Sequence, residues 1–134
     1  MSSDKILVID DDEGMTELLS LLLHPASSNI LIANSGAEGI ELVKKSCPDI
    51  IILDLMMPGM NGWQVCKAIR LISAAPILIL SAIDSPGMVA EALDSGADEY
   101  LVKPVSSSTL IAHINKLLRR SRITQATLSS PSHT

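Results

Sequence analysis

The chain is predicted to fold as a three-layer α/β domain, a doubly wound parallel sheet of five strands with five helices packed on both faces. Three observations predict it. Short apolar runs and amphipathic stretches alternate five times along 134 residues, the pattern of right-handed parallel crossovers. Two of the runs, Ile50-Ile51-Ile52-Leu53 and Ile77-Leu78-Ile79-Leu80, are apolar throughout, as strands buried on both faces are. Four runs end on a reactive polar residue: Ile6-Leu7-Val8-Ile9 on Asp10-Asp11, the third strand on Asp54, the fourth on Ser81, and Tyr100-Leu101-Val102 on Lys103-Pro104.

The elements follow in order. The first strand covers about 5–9 and the first helix about 13–24, with Met15, Leu18, Leu19 and Leu22 on one face. His24-Pro25 closes that helix. The second strand, about 29–33, has the weakest apolar run and is placed at a sheet edge. Ser35 caps a helix over about 36–46 that buries Ala37, Ile40 and Val43. The third strand is about 49–53. After it, Met57-Pro58-Gly59-Met60-Asn61-Gly62 is dense in turn residues. The third helix spans about 63–72, carrying Val65, Cys66, Ile69 and Ile72. The fourth strand is about 76–80. A short fourth helix over about 86–95 has Ser85 as cap, Pro86 in its first turn and Gly96 at its end. The fifth strand is about 98–102, and the fifth helix about 106–120 with Leu110, Ile111, Ile114, Leu117 and Leu118 at helical spacing. The expected strand order is the flavodoxin-like 2-1-3-4-5, whose switch point between strands 1 and 3 sets Asp10, Asp11 and Asp54 side by side. Residues 1–122 are read as one domain. Ile123 to Thr134, rich in Ser and Thr, is read as a disordered tail or linker.

Composition narrows the function. Apolar residues make up 47% and charged residues 19%, which excludes a disordered chain. A net charge of −5 excludes broad attraction to nucleic acid or an anionic membrane, so direct nucleic-acid binding by this chain is not expected. Cys47 and Cys66 are read as two reduced thiols, and no signal peptide or membrane-length apolar run is present, so a cytoplasmic location is expected.

The strand ends carry the chemistry. Carboxylates about 5 Å apart repel by roughly 3 kcal/mol per pair at an effective dielectric near 20. Asp10, Asp11 and Asp54 therefore call for a hard, oxygen-seeking cation such as Mg²⁺, which leaves room for a phosphate oxygen. Lys103 adds positive charge, and Ser81 offers a hydroxyl to a phosphoryl oxygen. Asp54, alone at the end of a central strand, is the better nucleophile. Asp11 suits a metal ligand, with Asp10 acting directly or through water. Asp12 and Glu13 read as ordinary first-turn acids.

These residues resemble the response-regulator receiver domain of bacterial two-component signalling. The resemblance covers about residues 4–121. Lys5-Ile6-Leu7-Val8-Ile9-Asp10-Asp11 is similar to the family's first strand and acidic pair. Asp54-Leu55-Met56-Met57-Pro58-Gly59-Met60-Asn61-Gly62 is similar to its phosphoacceptor segment. Ser81-Ala82 matches its hydroxyl position, and Gly96 to Pro104 its last strand and lysine-proline pair. The resemblance implies that Asp54 accepts a phosphoryl group from a histidine kinase or phosphotransfer protein. It also implies that Asp10, Asp11, Asp54 and the Met56 carbonyl bind Mg²⁺. Ser81 and Lys103 would contact the phosphoryl group, Tyr100 would act as an aromatic switch, and Lys103-Pro104 would be cis. The switching face would be the fourth helix, fifth strand and fifth helix, acting on an effector protein or a covalently linked output domain, or pairing as a homodimer. Such a chain is a signalling switch and no enzyme beyond its own phosphorylation and dephosphorylation. Val105 stands where the family often has Phe, and Ser81 where Thr is commoner. A phosphatase of the aspartate-nucleophile type is the competing class; it wants a second acid two residues after the nucleophile, where Met56 stands. A nucleotide-binding protein lacks its glycine motif here.

Overall fold

In a computed structural model of the chain, residues 2–129 are described, with side chains from residue 4 to residue 123. Five strands, β1 (Ser2–Ile9), β2 (Ser27–Ala33), β3 (Ile50–Leu53), β4 (Ile77–Ser81) and β5 (Glu99–Val102), alternate with α1 (Glu13–Leu23), α2 (Gly36–Ser46), α3 (Gly62–Arg70), α4 (Pro86–Asp94) and α5 (Ser107–Ser129). The strands form one sheet in the order β2-β1-β3-β4-β5, all pairs parallel, as the strand pattern predicts. The weak second strand is indeed an edge. Among the described residues, no helix is long and apolar enough to cross a membrane.

Strand alternation sorts the core into two layers, because successive side chains leave opposite faces. Leu7, Ile9, Ile51, Leu53, Ile77 and Ile79 meet Val43 of α2, Val65, Cys66 and Ile69 of α3 and Ala92 of α4. Ile6, Val8, Ile50, Ile52, Leu78 and Leu80 meet Leu19 and Leu23 of α1 and Leu110, Ile114, Leu117 and Leu118 of α5. Each Val, Leu or Ile among them, fully buried, contributes about 1.5–3 kcal/mol relative to exposure. A core without phenylalanine is possible because aliphatic residues from both faces of three central strands fill it.

Several helix faces differ from expectation. α1 buries Thr16, Leu19 and Leu23, while Leu18 is 48% exposed. The leucine run from Leu18 to Leu23 puts apolar groups on every side, so periodicity alone does not choose the buried stripe. In α2 the face against the sheet is Gly36, Gly39 and Val43, and Ala37 is exposed. The reason is space: a Cβ on Gly39 would stand 2.5 Å from Ile9 Cδ1. α3 ends at Arg70, leaving Ile72 outside it and exposed. Asn61 begins α3 with a reciprocal capping box to Gln64. Ser35 caps α2 through the Glu38 N–H, whereas Ser85 precedes α4 without a side-chain cap bond. α5 runs to Ser129, past the predicted end near residue 120 and into the stretch expected to be disordered. After Pro104 no glycine or proline occurs before Pro131, so nothing in the chain breaks the helix. Residues 130–134 of that stretch lie outside the described residues.

Away from the acidic edge, Arg70 ties three segments together. Its guanidinium donates to the Gly96 carbonyl (2.9 Å), the Ser73 carbonyl (3.0 Å) and Asp98 Oδ2 (2.8 Å). Asp98 Oδ2 also accepts from the Ile77 N–H at 2.8 Å, so the clamp fixes the start of β4.

Candidate functional site

The parallel ladder decides which side chains meet. Ile9 is in register with Ala33 on one side and Leu53 on the other. The next residues continue the ladder: the Asp10 N–H donates to the Ala33 carbonyl (3.1 Å) and the Asp54 N–H to the Ile9 carbonyl (3.0 Å). Asp10 and Asp54 therefore leave adjacent strand ends together. Ser81 pairs with Val102 in β5, and the Lys103 N–H donates to the Ser81 carbonyl at 2.8 Å. Four strand ends thus deliver their polar residues to one edge.

Asp10, Asp11 and Asp54 each present a carboxylate oxygen, and the three oxygens lie within 4.8 Å of one another. Asp10 is 3% exposed. Its Oδ1 accepts the Asp12 N–H (3.0 Å) and its Oδ2 faces Lys103 Nζ (3.4 Å). Asp11 is exposed and Asp54 half-buried. The Met56 N–H donates to Asp54 Oδ1 at 3.4 Å, while the Met56 side chain is 61% exposed. Burial pushes the Asp54 carboxyl above the ordinary carboxylate range. Lys103 and the Met56 N–H oppose that shift, and the charges of Asp10 and Asp11 reinforce it. Lys103 offsets one of the three negative charges. The remaining hard oxygens suit Mg²⁺ or a similar divalent cation and would not attract a soft metal.

Ser81 is fully buried, and its Oγ accepts the Ile83 N–H at 3.3 Å. Tyr100 is half-buried; its hydroxyl donates to the Ile83 carbonyl at 2.6 Å. Burial raises the Tyr100 phenol above its ordinary value, the Ser81 hydroxyl opposing the shift and the charges of Asp54 and Asp84 adding to it. Ser81 and Tyr100 therefore share one loop segment at Ile83. The Lys103–Pro104 peptide is cis. Gly62 closes the loop behind Asp54: a Cβ there would stand 2.4 Å from Leu55 Cα and 2.6 Å from the Asp54 carbonyl oxygen.

Sequence reasoning missed Asn34. It directly follows the last residue of β2, as Asp10 and Asp54 follow theirs. The strand-end rule points to it, but the weak second strand hid the signal. Its carboxamide donates to the Asp10 carbonyl (3.0 Å) and to Thr16 Oγ1 (3.1 Å).

The family model described as the response regulator receiver domain matches residues 6–115. The chain is 38% identical over 116 residues to the DNA-binding response regulator MtrA of Mycobacterium tuberculosis, covering 87% of this chain and 51% of that protein. It is 40% identical over 115 residues to the transcriptional regulatory protein AfsQ1 of Streptomyces coelicolor, covering 86% of this chain and 51% of that protein. The chain thus spans about half the length of these relatives. Among solved structures it is similar to the chemotaxis protein CheY4 of Vibrio cholerae, with TM-score 0.81, 32% identity, and 87% of this chain and 99% of that one covered. The receiver domain of the Francisella response regulator 1452 also matches, with TM-score 0.81, 34% identity, and 88% and 98% covered. The chain belongs to the response-regulator receiver family, the phosphoaccepting signalling switches of two-component systems.

Proposed function

We propose that Asp54 is the phosphoacceptor of this receiver and that Asp10, Asp11, Asp54 and the Met56 carbonyl hold Mg²⁺ beside it. The observation that carries this reading is the gathering of three carboxylate oxygens within 4.8 Å, with Lys103 against the buried member. Bound there, Mg²⁺ supplies charge neutralisation for the transferring phosphoryl oxygens. An Asp54 carboxylate oxygen forms a bond to phosphorus as the P–N bond of a donor phosphohistidine breaks, and the imidazole leaves with the electron pair. Lys103 Nζ and the Ser81 hydroxyl donate to phosphoryl oxygens. Water attack on the same phosphorus later returns the free carboxylate and inorganic phosphate. The chain thereby catalyses its own phosphorylation and dephosphorylation and acts on no other substrate.

The donor is a histidine kinase or phosphotransfer protein. Ser81, drawn to the phosphoryl group, gives up its bond from the Ile83 N–H, and Tyr100 turns inward as the loop at Ile83 moves. The readout face is α4, β5 and α5, which acts on an effector protein or a linked output domain, or pairs with a second copy. The names of MtrA and AfsQ1 support an output that is transcriptional in a longer protein. Residues 1–122 form the receiver unit in this reading, with 123–134 as the linking segment.

Exposure to a small phosphodonor such as acetyl phosphate tests this. In Mg²⁺ the intact mass rises by one phosphoryl group per chain, and a chelator abolishes the gain. A chain that stays unmodified by several donors in Mg²⁺ overturns the assignment, as does turnover of a phosphate ester far beyond one equivalent.

A further inference from the structure

Asn34 has a hydrogen-bonding role that the family assignment does not supply. Both hydrogens of its carboxamide are used: one bonds the Asp10 carbonyl at 3.0 Å, the other Thr16 Oγ1 at 3.1 Å. Thr16 is buried in the first turns of α1, and its hydroxyl in turn donates to the Glu13 carbonyl at 3.0 Å. Asn34 is itself held in place, because its N–H donates to Glu38 Oε1 (3.2 Å) and Glu38 belongs to the capped first turn of α2. The side chain therefore bridges the β2–α2 loop, the end of β1 and the start of α1.

The Asp10 carbonyl belongs to the peptide that joins Asp10 to Asp11. The Asp10 N–H is already tied to Ala33 and both its carboxylate oxygens are engaged. The Asp12 N–H bond to Asp10 Oδ1 constrains the turn from one side, and the orientation of the peptide between Asp10 and Asp11 contributes to where the Asp11 carboxylate points. Asp11 is exposed, so burial does little to orient it. The Asn34 bond supplies that constraint from the carbonyl side. We infer that Asn34 is a positioning residue for the divalent-cation site: it fixes the Asp10–Asp11 peptide so that the Asp11 carboxylate faces Asp54.

The inference rests on the cation-binding reading above. Loss of a bond that orients a metal ligand typically weakens metal affinity about 10–100-fold. Calorimetric titration of the chain with Mg²⁺ alone provides the test, with the metal-free melting temperature recorded for each variant. Asn34→Leu, of similar shape but with no donor, weakens Mg²⁺ binding about tenfold or more. Asn34→Ala, which lets water reach the Asp10 carbonyl and serves if the leucine variant does not fold, weakens it less but in the same direction. Thr16→Val removes the other partner of the carboxamide and leaves the Asp10 bond intact. It lowers the melting temperature while Mg²⁺ affinity stays within about twofold of the natural chain, a small perturbation beside the range for orienting bonds. Natural affinity in both Asn34 variants overturns the inference and leaves the cation site standing. So does an equal loss in Thr16→Val, which makes the effect one of general stability. A natural chain that takes up no Mg²⁺ overturns the site and the inference together.

Discussion

Asp54→Asn leaves the chain without any phosphoryl uptake under conditions in which the natural chain gains one group, and it raises the melting temperature of the metal-free protein at neutral pH. The first effect is all-or-none, because the amide oxygen is a poor nucleophile and Asp10, the other carboxylate at a strand end, is buried against Lys103. Intact-mass measurement after phosphodonor treatment reads it directly. Uptake that survives in the variant moves the acceptor to another residue.

The stability effect follows from the direction of the Asp54 shift. Burial first, then the charges of Asp10 and Asp11, raise its pKa in the folded chain above the unfolded value near 3.8. The folded state therefore holds the proton more tightly than the unfolded state does. Its contribution to stability is present below the unfolded pKa and is lost as pH rises through the raised folded pKa. At neutral pH the ionised carboxylate is a burden on the metal-free fold, and the neutral amide relieves it. Melting curves in chelator show the variant above the natural chain at pH 7, with the gap closing as pH falls towards that of a protonated Asp54. A variant that melts lower at pH 7 contradicts the electrostatic picture of the site.

Gly62→Ala is expected to cost about 2–3 kcal/mol of stability and to slow phosphoryl uptake at the same time. The added methyl meets Leu55 Cα and the Asp54 carbonyl, both backbone atoms that no rotamer change can remove. Relief requires moving the loop between β3 and α3, and the Gly62 N–H bond to the Leu55 carbonyl (2.9 Å) moves with it. The disturbance reaches Asp54, the proposed phosphoacceptor. Gly59→Ala is the matching control: it adds a methyl in open space at φ +79°, so it carries only the left-handed backbone penalty of roughly 1–2 kcal/mol. Urea unfolding and donor kinetics of the two variants separate crowding from backbone strain. Equal effects in both contradict the crowding argument.

Much of this was legible because parallel sheets turn sequence order into geometry. Apolar runs as uniform as Ile50 to Leu53 and Ile77 to Leu80 belong in the middle of a sheet, and their order puts the residues after them on one edge. That is why the strand order alone predicts that Asp10, Asp11, Asp54 and Lys103 meet. Rotation of the helices was less legible. In α1, leucines surround the axis, so Thr16 rather than Leu18 takes the inward place when packing decides. In α2 the inward glycines carry no hydrophobic signal, since their purpose is to let the helix approach Ile9. Asn34 was hidden because an amide after a weak strand looks like a turn residue; only the carbonyl it serves reveals it. The length of α5 was missed because a Ser/Thr-rich composition reads as a linker, although it holds no residue that must end a helix before Pro131.

The acids that follow β1 and β3 are proposed to form a divalent-cation site, and thermal melting with and without Mg²⁺ probes that site. Binding to the folded state alone stabilises it by about 2.7 kcal/mol when the cation stands at 100 times its Kd. A clear upward shift in Tm on adding Mg²⁺ at pH 7 is the expected result. The shift should shrink as acid protonates the carboxylates and be absent from the double variant Asp11→Asn, Asp54→Asn. An unchanged Tm at pH 7 in saturating Mg²⁺, or an equal rise in the double variant, would contradict it.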